Sequence, residues 1–173
     1  MTRQISYANA RQVAQQASAE IEAWLRSLPQ TQIVQNVEDN QTYQQTDVDL
    51  LWTTNKASYQ VEIKSDRWHK TGNFFFETHS NKEKNTPGCF LYTQADLLFY
   101  YFVVPRQLYM LPMPHTREWF LANIQRFQER ETTTPIGIHY YTTVGRLVPI
   151  SIVLQEVSQV IKQQLPYIND LQS

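Results

Sequence analysis

The segment "YQVEIK", residues 59–64, constrains the fold of this chain more than any other feature. Its odd-numbered positions hold a tyrosine, a valine and an isoleucine, whereas its even-numbered positions hold a glutamine, a glutamate and a lysine. Because successive side chains of a β-strand point to opposite faces, this alternation predicts a strand with one buried face. Glu62 and Lys64 would then lie side by side on the other face.

A second strand-like run, "TDVDLLW" at residues 46–52, precedes this segment, and the polar turn "TTNK" joins the two. If the runs pair as a hairpin, Asp49 approaches Glu62 and Lys64 on one face. Two carboxylates beside a lysine suit a hard cation such as Mg²⁺ or Mn²⁺, which takes oxygen ligands. The alternative is a structural ion pair between Glu62 and Lys64.

Hydrophobic periodicity predicts the other elements of the chain. Apolar residues at helical spacing alternate along the chain with short β-branched and aromatic runs, which favours an α/β layer architecture. Helices are predicted over 6–28, 116–128 and 150–164, with a short one capped by Thr93. Strands are predicted over 33–37, 73–78 and 136–143, and residues 99–112 suggest a hairpin or a sheet edge.

Composition excludes several classes of protein. Hydrophobic residues make up 42% of the 173 residues, which argues against a disordered chain and fits a single domain. The one cysteine, Cys89, excludes a disulfide scaffold and a cysteine-rich zinc site. No apolar signal segment or membrane span is evident, so we expect a cytoplasmic protein without a membrane partner.

The pair of segments "TDVDLLW…YQVEIKSD" resembles the core of the PD-(D/E)XK nuclease superfamily. Asp49 matches the first acid of that motif, Glu62 the second and Lys64 the lysine, while Val48 stands where a proline is usual. The resemblance implies a restriction-endonuclease-like fold, with a central mixed β-sheet flanked by helices. It also implies a Mg²⁺- or Mn²⁺-dependent endonuclease that hydrolyses DNA phosphodiester bonds.

The same resemblance implies a role for each site residue. Asp49 and Glu62 would hold the metal together with the Ile63 carbonyl, and Lys64 would position the attacking water. The run "TGNFFFETHS" resembles a branch of these proteins in which a glutamate of the following strand lies near the site. Further residues implied are Glu20 of the first helix as a catalytic residue, Glu77 as an accessory one, and Asp47 as an alternative first acid on the face of Asp49.

Two other groups of residues have competing interpretations. Arg67, Lys70, Lys82 and Lys84 surround the "NFFF" strand and could contact DNA phosphates. They could equally form a solvated loop, because nearby acids almost cancel their charge, and the formal net charge of the chain is only −1. Cys89 could act as a nucleophile, but the pattern favours a small buried residue, since nothing local would activate a thiol.

The resemblance covers residues 10–104 of a single domain spanning 1–173. Residues 105–173 match no known pattern and are interpreted as a C-terminal elaboration. One active site per chain would favour a homodimer for cutting both DNA strands. The alternative functions are a catalytically silent module of the same fold that binds nucleic acid or protein, and an interaction protein in which Glu62 and Lys64 are structural.

Overall fold

The centre of the molecule is a six-stranded sheet, seen in a computed structural model that describes residues 7–171. Its strands, in spatial order, are β1 (Thr31–Asn36), β2 (Leu50–Thr54), β3 (Ser58–Asp66), β6 (Leu97–Phe102), β7 (Gln107–Pro112) and β10 (Ile161–Gln164). A second, four-stranded sheet has the order β5 (Thr86–Pro87), β4 (Asn73–Asn81), β9 (His139–Pro149) and β8 (Gln128–Ile136). β3 and β6 run parallel, whereas the other neighbours in the large sheet are antiparallel. The predicted α/β class with a central mixed sheet is therefore confirmed.

The elements follow one another as a helix, a strand hairpin and then mixed strands and short helices. The helices are α1 (Tyr7–Ser27), α2 (Gln41–Gln44), α3 (Cys89–Tyr92), α4 (His115–Asn123) and α5 (Ile150–Glu156).

The large sheet is covered on both faces, which explains why β6 reads as a continuous apolar run. Phe99 and Tyr101 of β6 lie in one core cluster with α1 residues such as Ile21. Tyr100 points to the opposite face, where it packs against Phe74 of β4 with ring centroids 4.8 Å apart. The large sheet is thus a middle layer between α1 and the four-stranded sheet.

The first half of the chain follows the sequence prediction closely. α1 corresponds to the predicted helix over residues 7–27. β2 and β3 pair as the predicted antiparallel hairpin. Leu50, the first residue of β2, pairs with Val61. Asp49 immediately precedes Leu50 and therefore lies level with Glu62. This register fixes the position of the candidate site.

Two predicted elements in the second half have wrong bounds, and a third is misplaced. The last helix is present as α5 but ends at Glu156, and Ile161–Gln164 instead forms β10, because these residues complete the free edge of β7. Residues 139–143 of the predicted strand 136–143 lie in β9, but the chain reverses before them at Gly137, whose φ of 58° suits glycine. Thr93 ends α3 instead of beginning a helix.

Residues beyond 105 are integral to both sheets. β7 and β10 extend the large sheet, and β8 and β9 pair with β4 to build the small one. The segment is therefore part of the core and not a peripheral addition. Within residues 7–171, no helix is both long and apolar enough to cross a membrane.

Candidate metal centre

The β2–β3 hairpin brings the carboxyl groups of Asp49 and Glu62 together. The two side chains share a hydrogen bond, and the Ile63 amide donates to Asp49 Oδ2 at 2.7 Å. The Asp49 amide still donates to the Val61 carbonyl at 2.8 Å, so the backbone pairing of the two strands continues through Asp49 and places its side chain next to the Ile63 amide. The Ile63 backbone consequently lies directly beside the carboxylate pair.

Asp47 reaches the same cluster by a different route from the one the sequence suggested. It is a turn residue with φ of 55°, outside any strand, so the alternation used to place it does not apply. The Thr93 hydroxyl donates to the Asp47 carbonyl at 2.9 Å and holds this turn against the end of α3. One carboxylate oxygen of Asp47 lies within 4.8 Å of a carboxylate oxygen of Glu62.

Two carboxylate oxygens of this cluster are buried without a hydrogen-bond partner. They are Oδ2 of Asp47 and Oε2 of Glu62, and the Glu62 residue is only 6% exposed. Buried polar atoms are almost always hydrogen-bonded, since an unsatisfied one costs free energy. A cation bound between these carboxylates would satisfy both oxygens, so the residues present fit a metal ion.

The site favours protonated carboxyl groups when no cation is bound. Burial raises the pKa of Asp49 to about 6. Burial, and then the negative charges of Asp49 and Asp47, raise the pKa of Glu62 well above its usual range. Binding of a metal at this cluster would therefore be coupled to the release of protons.

The ammonium group of Lys64 pairs with Glu77 rather than with Glu62. Glu77 belongs to β4, so the small sheet contributes this partner, and the side chains are 28% and 13% exposed. Burial lowers the pKa of Lys64, but the negative charge of Glu77 raises it above its ordinary value overall. A simple Glu62–Lys64 ion pair is not among the salt bridges of residues 7–171.

Cys89 lies at the site. The sequence pattern favoured a small buried residue and did not predict this position for Cys89. Its side chain is half-buried, its Sγ is 4.0 Å from Glu77 Oε2, and it lies within 4.8 Å of oxygens of Asp47 and Glu62. The preceding Gly88 permits this approach, because a Cβ there would come within 2.5 Å of the Glu77 carbonyl carbon. The glycine next to the cysteine in the "TPGC" segment was the sequence feature that could have indicated this close approach.

Two further residues border the cluster and were not singled out from sequence. Tyr92 hydrogen-bonds to Asp47, and burial together with the Asp47 charge raises the pKa of Tyr92 to about 12. Glu38 follows β1 and accepts a hydrogen bond from the Ser18 hydroxyl of α1. Its negative charge contributes to the raised pKa of Asp49, after burial. No local pattern marks either residue.

Glu20 joins a different polar cluster, on the other face of the large sheet. Arg106 donates to it at 2.5 Å and the Tyr101 hydroxyl also donates to it. Tyr101 belongs to the sheet face that α1 covers, whereas Glu62 and Lys64 share the face of Tyr100. The helix geometry therefore directs Glu20 away from the Asp49–Glu62 pair.

The four candidate DNA-binding residues fall into two groups at opposite ends of β4. Arg67 and Lys70 precede the strand, and Lys82 and Lys84 follow it. Nine residues separate these ends, which is a length of roughly 26 Å at about 3.3 Å per residue. Lys82 is engaged by Glu131 of β8. They do not form one basic patch.

We expect the stability of the metal-free protein to fall as pH rises from about 4 to 7. Between pH 4 and about 6 folded Asp49, with its pKa of about 6, keeps a proton that the unfolded chain loses near its ordinary value of 3.8; above that pH the folded protein loses it as well. Asp49→Asn should therefore gain about 1–3 kcal/mol in unfolding free energy relative to wild type across that window. Urea unfolding in EDTA at several pH values measures this difference.

The matched control for this experiment is the exposed acid Asp39, changed to asparagine. It is measured at the same pH values as the reference for removing an acid outside the cluster. If the gain of Asp49→Asn does not grow as pH rises from about 4 to 6, the carboxyl group of Asp49 is not desolvated as the structure indicates.

Comparisons with protein-family models, with curated proteins and with solved structures found no match to this chain. The geometry and chemistry of the site itself therefore carry the functional inference.

Proposed function

We propose that this protein is a metal-dependent endodeoxyribonuclease with a restriction-endonuclease-like fold, as its resemblance to the PD-(D/E)XK superfamily implies. The observation that carries the proposal is the convergence of Asp49 and Glu62, with a buried carboxylate oxygen that has no partner. Lys64 follows on the same strand face. We assign the protein to the cytoplasm, where Cys89 stays reduced.

Asp49 and Glu62 are the residues that would hold Mg²⁺ or Mn²⁺, with the Ile63 carbonyl as a further oxygen ligand. Carboxylate and carbonyl oxygens are the ligands that these hard cations prefer. Such an ion, when bound, would lower the pKa of a bound water and neutralise charge on a phosphoryl group. Asp49 also accepts from the Ile63 amide, which fixes the carboxylate relative to that backbone.

Lys64 would orient the attacking water or stabilise the charge that develops on the phosphate. Its ammonium group is held by Glu77, and this pairing limits the positions the long side chain can adopt. Glu77 is thus a positioning residue that acts through Lys64. The positive charge of Lys64 is retained, because its pKa lies above the ordinary value.

DNA is the proposed substrate, and Arg67 and Lys70 are the candidate phosphate contacts nearest in sequence to the motif strand. Lys82 and Lys84 form a second group at the far end of β4, and Lys84 is exposed. Two basic groups so far apart suit contacts to separate phosphates of one duplex. We further propose a homodimer, since cutting both strands takes two such sites.

Mn²⁺ calorimetry on variant proteins tests the metal assignment. Asp49→Asn and Glu62→Gln should each weaken binding markedly, because each removes an anionic oxygen ligand while preserving shape. Asp39→Asn, an exposed acid outside the cluster, serves as the control and should bind as wild type does. Wild-type affinity in both site variants would show that these carboxylates hold no metal.

Cleavage of plasmid and branched DNA with Mg²⁺ or Mn²⁺ tests the activity itself. Wild type should cut at least one of these substrates, and Glu62→Gln should not. The engagement of Lys64 by Glu77 is the observation that favours the alternative, a catalytically silent module binding nucleic acid or protein. A folded wild type that binds DNA yet cuts none of it with either metal would support that alternative.

A further inference from the structure

We propose that Asp47, Glu62 and Cys89 form a second cation position, which binds a thiophilic divalent ion such as Zn²⁺ next to the Asp49–Glu62 site. One ligand atom from each of these residues lies within 4.8 Å of the other two. Among residues 7–171 this is the one such group of three or more potential metal ligands. Its effect on DNA cleavage rests on the proposed function, whereas the binding itself does not.

Three different elements hold these ligands. Glu62 is on β3, Cys89 begins α3, and Asp47 lies in the turn before β2. The Thr93 hydroxyl ties the Asp47 turn to the end of α3, and Gly88 lets the start of α3 approach β4 closely. The position is therefore built by packing rather than by flexible surface side chains.

The unsatisfied oxygens are an independent indication of a ligand. Oε2 of Glu62 and Oδ2 of Asp47 are both buried without a hydrogen-bond partner, and the Glu62 residue is only 6% exposed. The nearby positive charge of Lys64 is already paired with Glu77. A divalent ion would supply the missing interactions of both oxygens.

The donor set distinguishes this position from an oxygen-only magnesium site. A cysteine thiolate favours Zn²⁺ and related ions over Mg²⁺, and three protein ligands with an open fourth place form a usual zinc arrangement. The thiol releases its proton when it coordinates a metal. Because Glu62 is common to both positions, a thiophilic ion should compete with Mg²⁺ and inhibit cleavage.

Titration of the intact protein with Co²⁺, without DNA or other metals, tests this position. Cys89 is the sole cysteine of the chain, so any thiolate-to-cobalt charge-transfer absorption reports on it alone. We expect such absorption to saturate at one Co²⁺ per chain. Cys89→Ser should abolish it, and Asp47→Asn should weaken Co²⁺ binding about tenfold or more, as losses at metal sites generally do.

Asp39→Asn, which changes an exposed acid outside the cluster, is the control, and its Co²⁺ absorption should persist. Thermal melting of each variant establishes that it is folded. Absence of the absorption in folded wild type would overturn the inference, as would saturation at one Co²⁺ per two chains, or unchanged binding by Asp47→Asn.

Inhibition by Zn²⁺ in the presence of Mg²⁺ separates this inference from the proposed function. The cleavage rate of each protein is normalised to its own rate without Zn²⁺. The Zn²⁺ concentration that halves this rate should be higher for Cys89→Ser than for wild type. If wild type cuts no DNA but shows the cobalt absorption, the nuclease proposal alone fails. If it cuts DNA but shows no absorption, the second cation position alone fails.

Discussion

Replacing Lys64 with methionine is expected to slow DNA cleavage by about 10²–10³-fold, the usual effect of removing one electrostatic group at a reacting centre. DNA binding should change little, since a group that acts in the transition state affects rate more than ground-state binding. Methionine keeps most of the apolar stem and removes the charge. Cleavage rates at saturating DNA, together with DNA affinity, measure the two effects.

The structure also predicts a stability cost for this variant, because Glu77 would lose its partner. The two side chains are 28% and 13% exposed, and breaking a buried ion pair costs about 3–5 kcal/mol at most. The double variant Lys64→Met/Glu77→Gln removes the stranded charge. It should recover much of the stability but none of the cleavage.

The double variant thus separates a catalytic lysine from a structural one. A stable double variant that cuts DNA at the wild-type rate would remove Lys64 from the mechanism. Such a result would mean that the Lys64–Glu77 ion pair acts only on folding.

Glu20→Gln is expected to destabilise the protein by about 3–5 kcal/mol, through the unpaired charge it leaves on Arg106. Glu20 and Arg106 are both buried and joined at 2.5 Å. Arg106 also donates to the Leu165 carbonyl, so the ion pair links α1 to the C-terminal segment. Mn²⁺ affinity of the folded variant should equal that of wild type, because Glu20 lies on the opposite sheet face from Glu62.

Glu22→Gln, two residues along the same helix, is the control. Glu22 pairs with Arg26, whose side chain is 52% exposed, and such surface pairs contribute only about 0.2–1 kcal/mol. Denaturant unfolding of both variants, with calorimetry of Mn²⁺ binding, provides the comparison. A stable Glu20→Gln variant with weakened metal binding would return Glu20 to the catalytic role that the resemblance implies.

The sequence by itself determined the hairpin and the first two members of the site. Alternation over residues 59–64 is a local property of a strand, and it placed Glu62 and Lys64 on one face before any packing was known. The approach of Asp49 was conditional on the two runs pairing as a hairpin, and the observed register places it level with Glu62. The same local logic predicted α1 from its apolar stripe.

The tertiary structure decided which of the distant candidates join that pair. Glu77, which the resemblance already implied as an accessory residue, pairs with Lys64 because the small sheet packs on that face. Cys89 also lies at the site, whereas Glu20 leaves it because α1 covers the other face. Residues 161–164 likewise became a strand when the edge of β7 offered backbone partners that an isolated segment lacks. Periodicity reports which face of an element is buried, but not which element buries it.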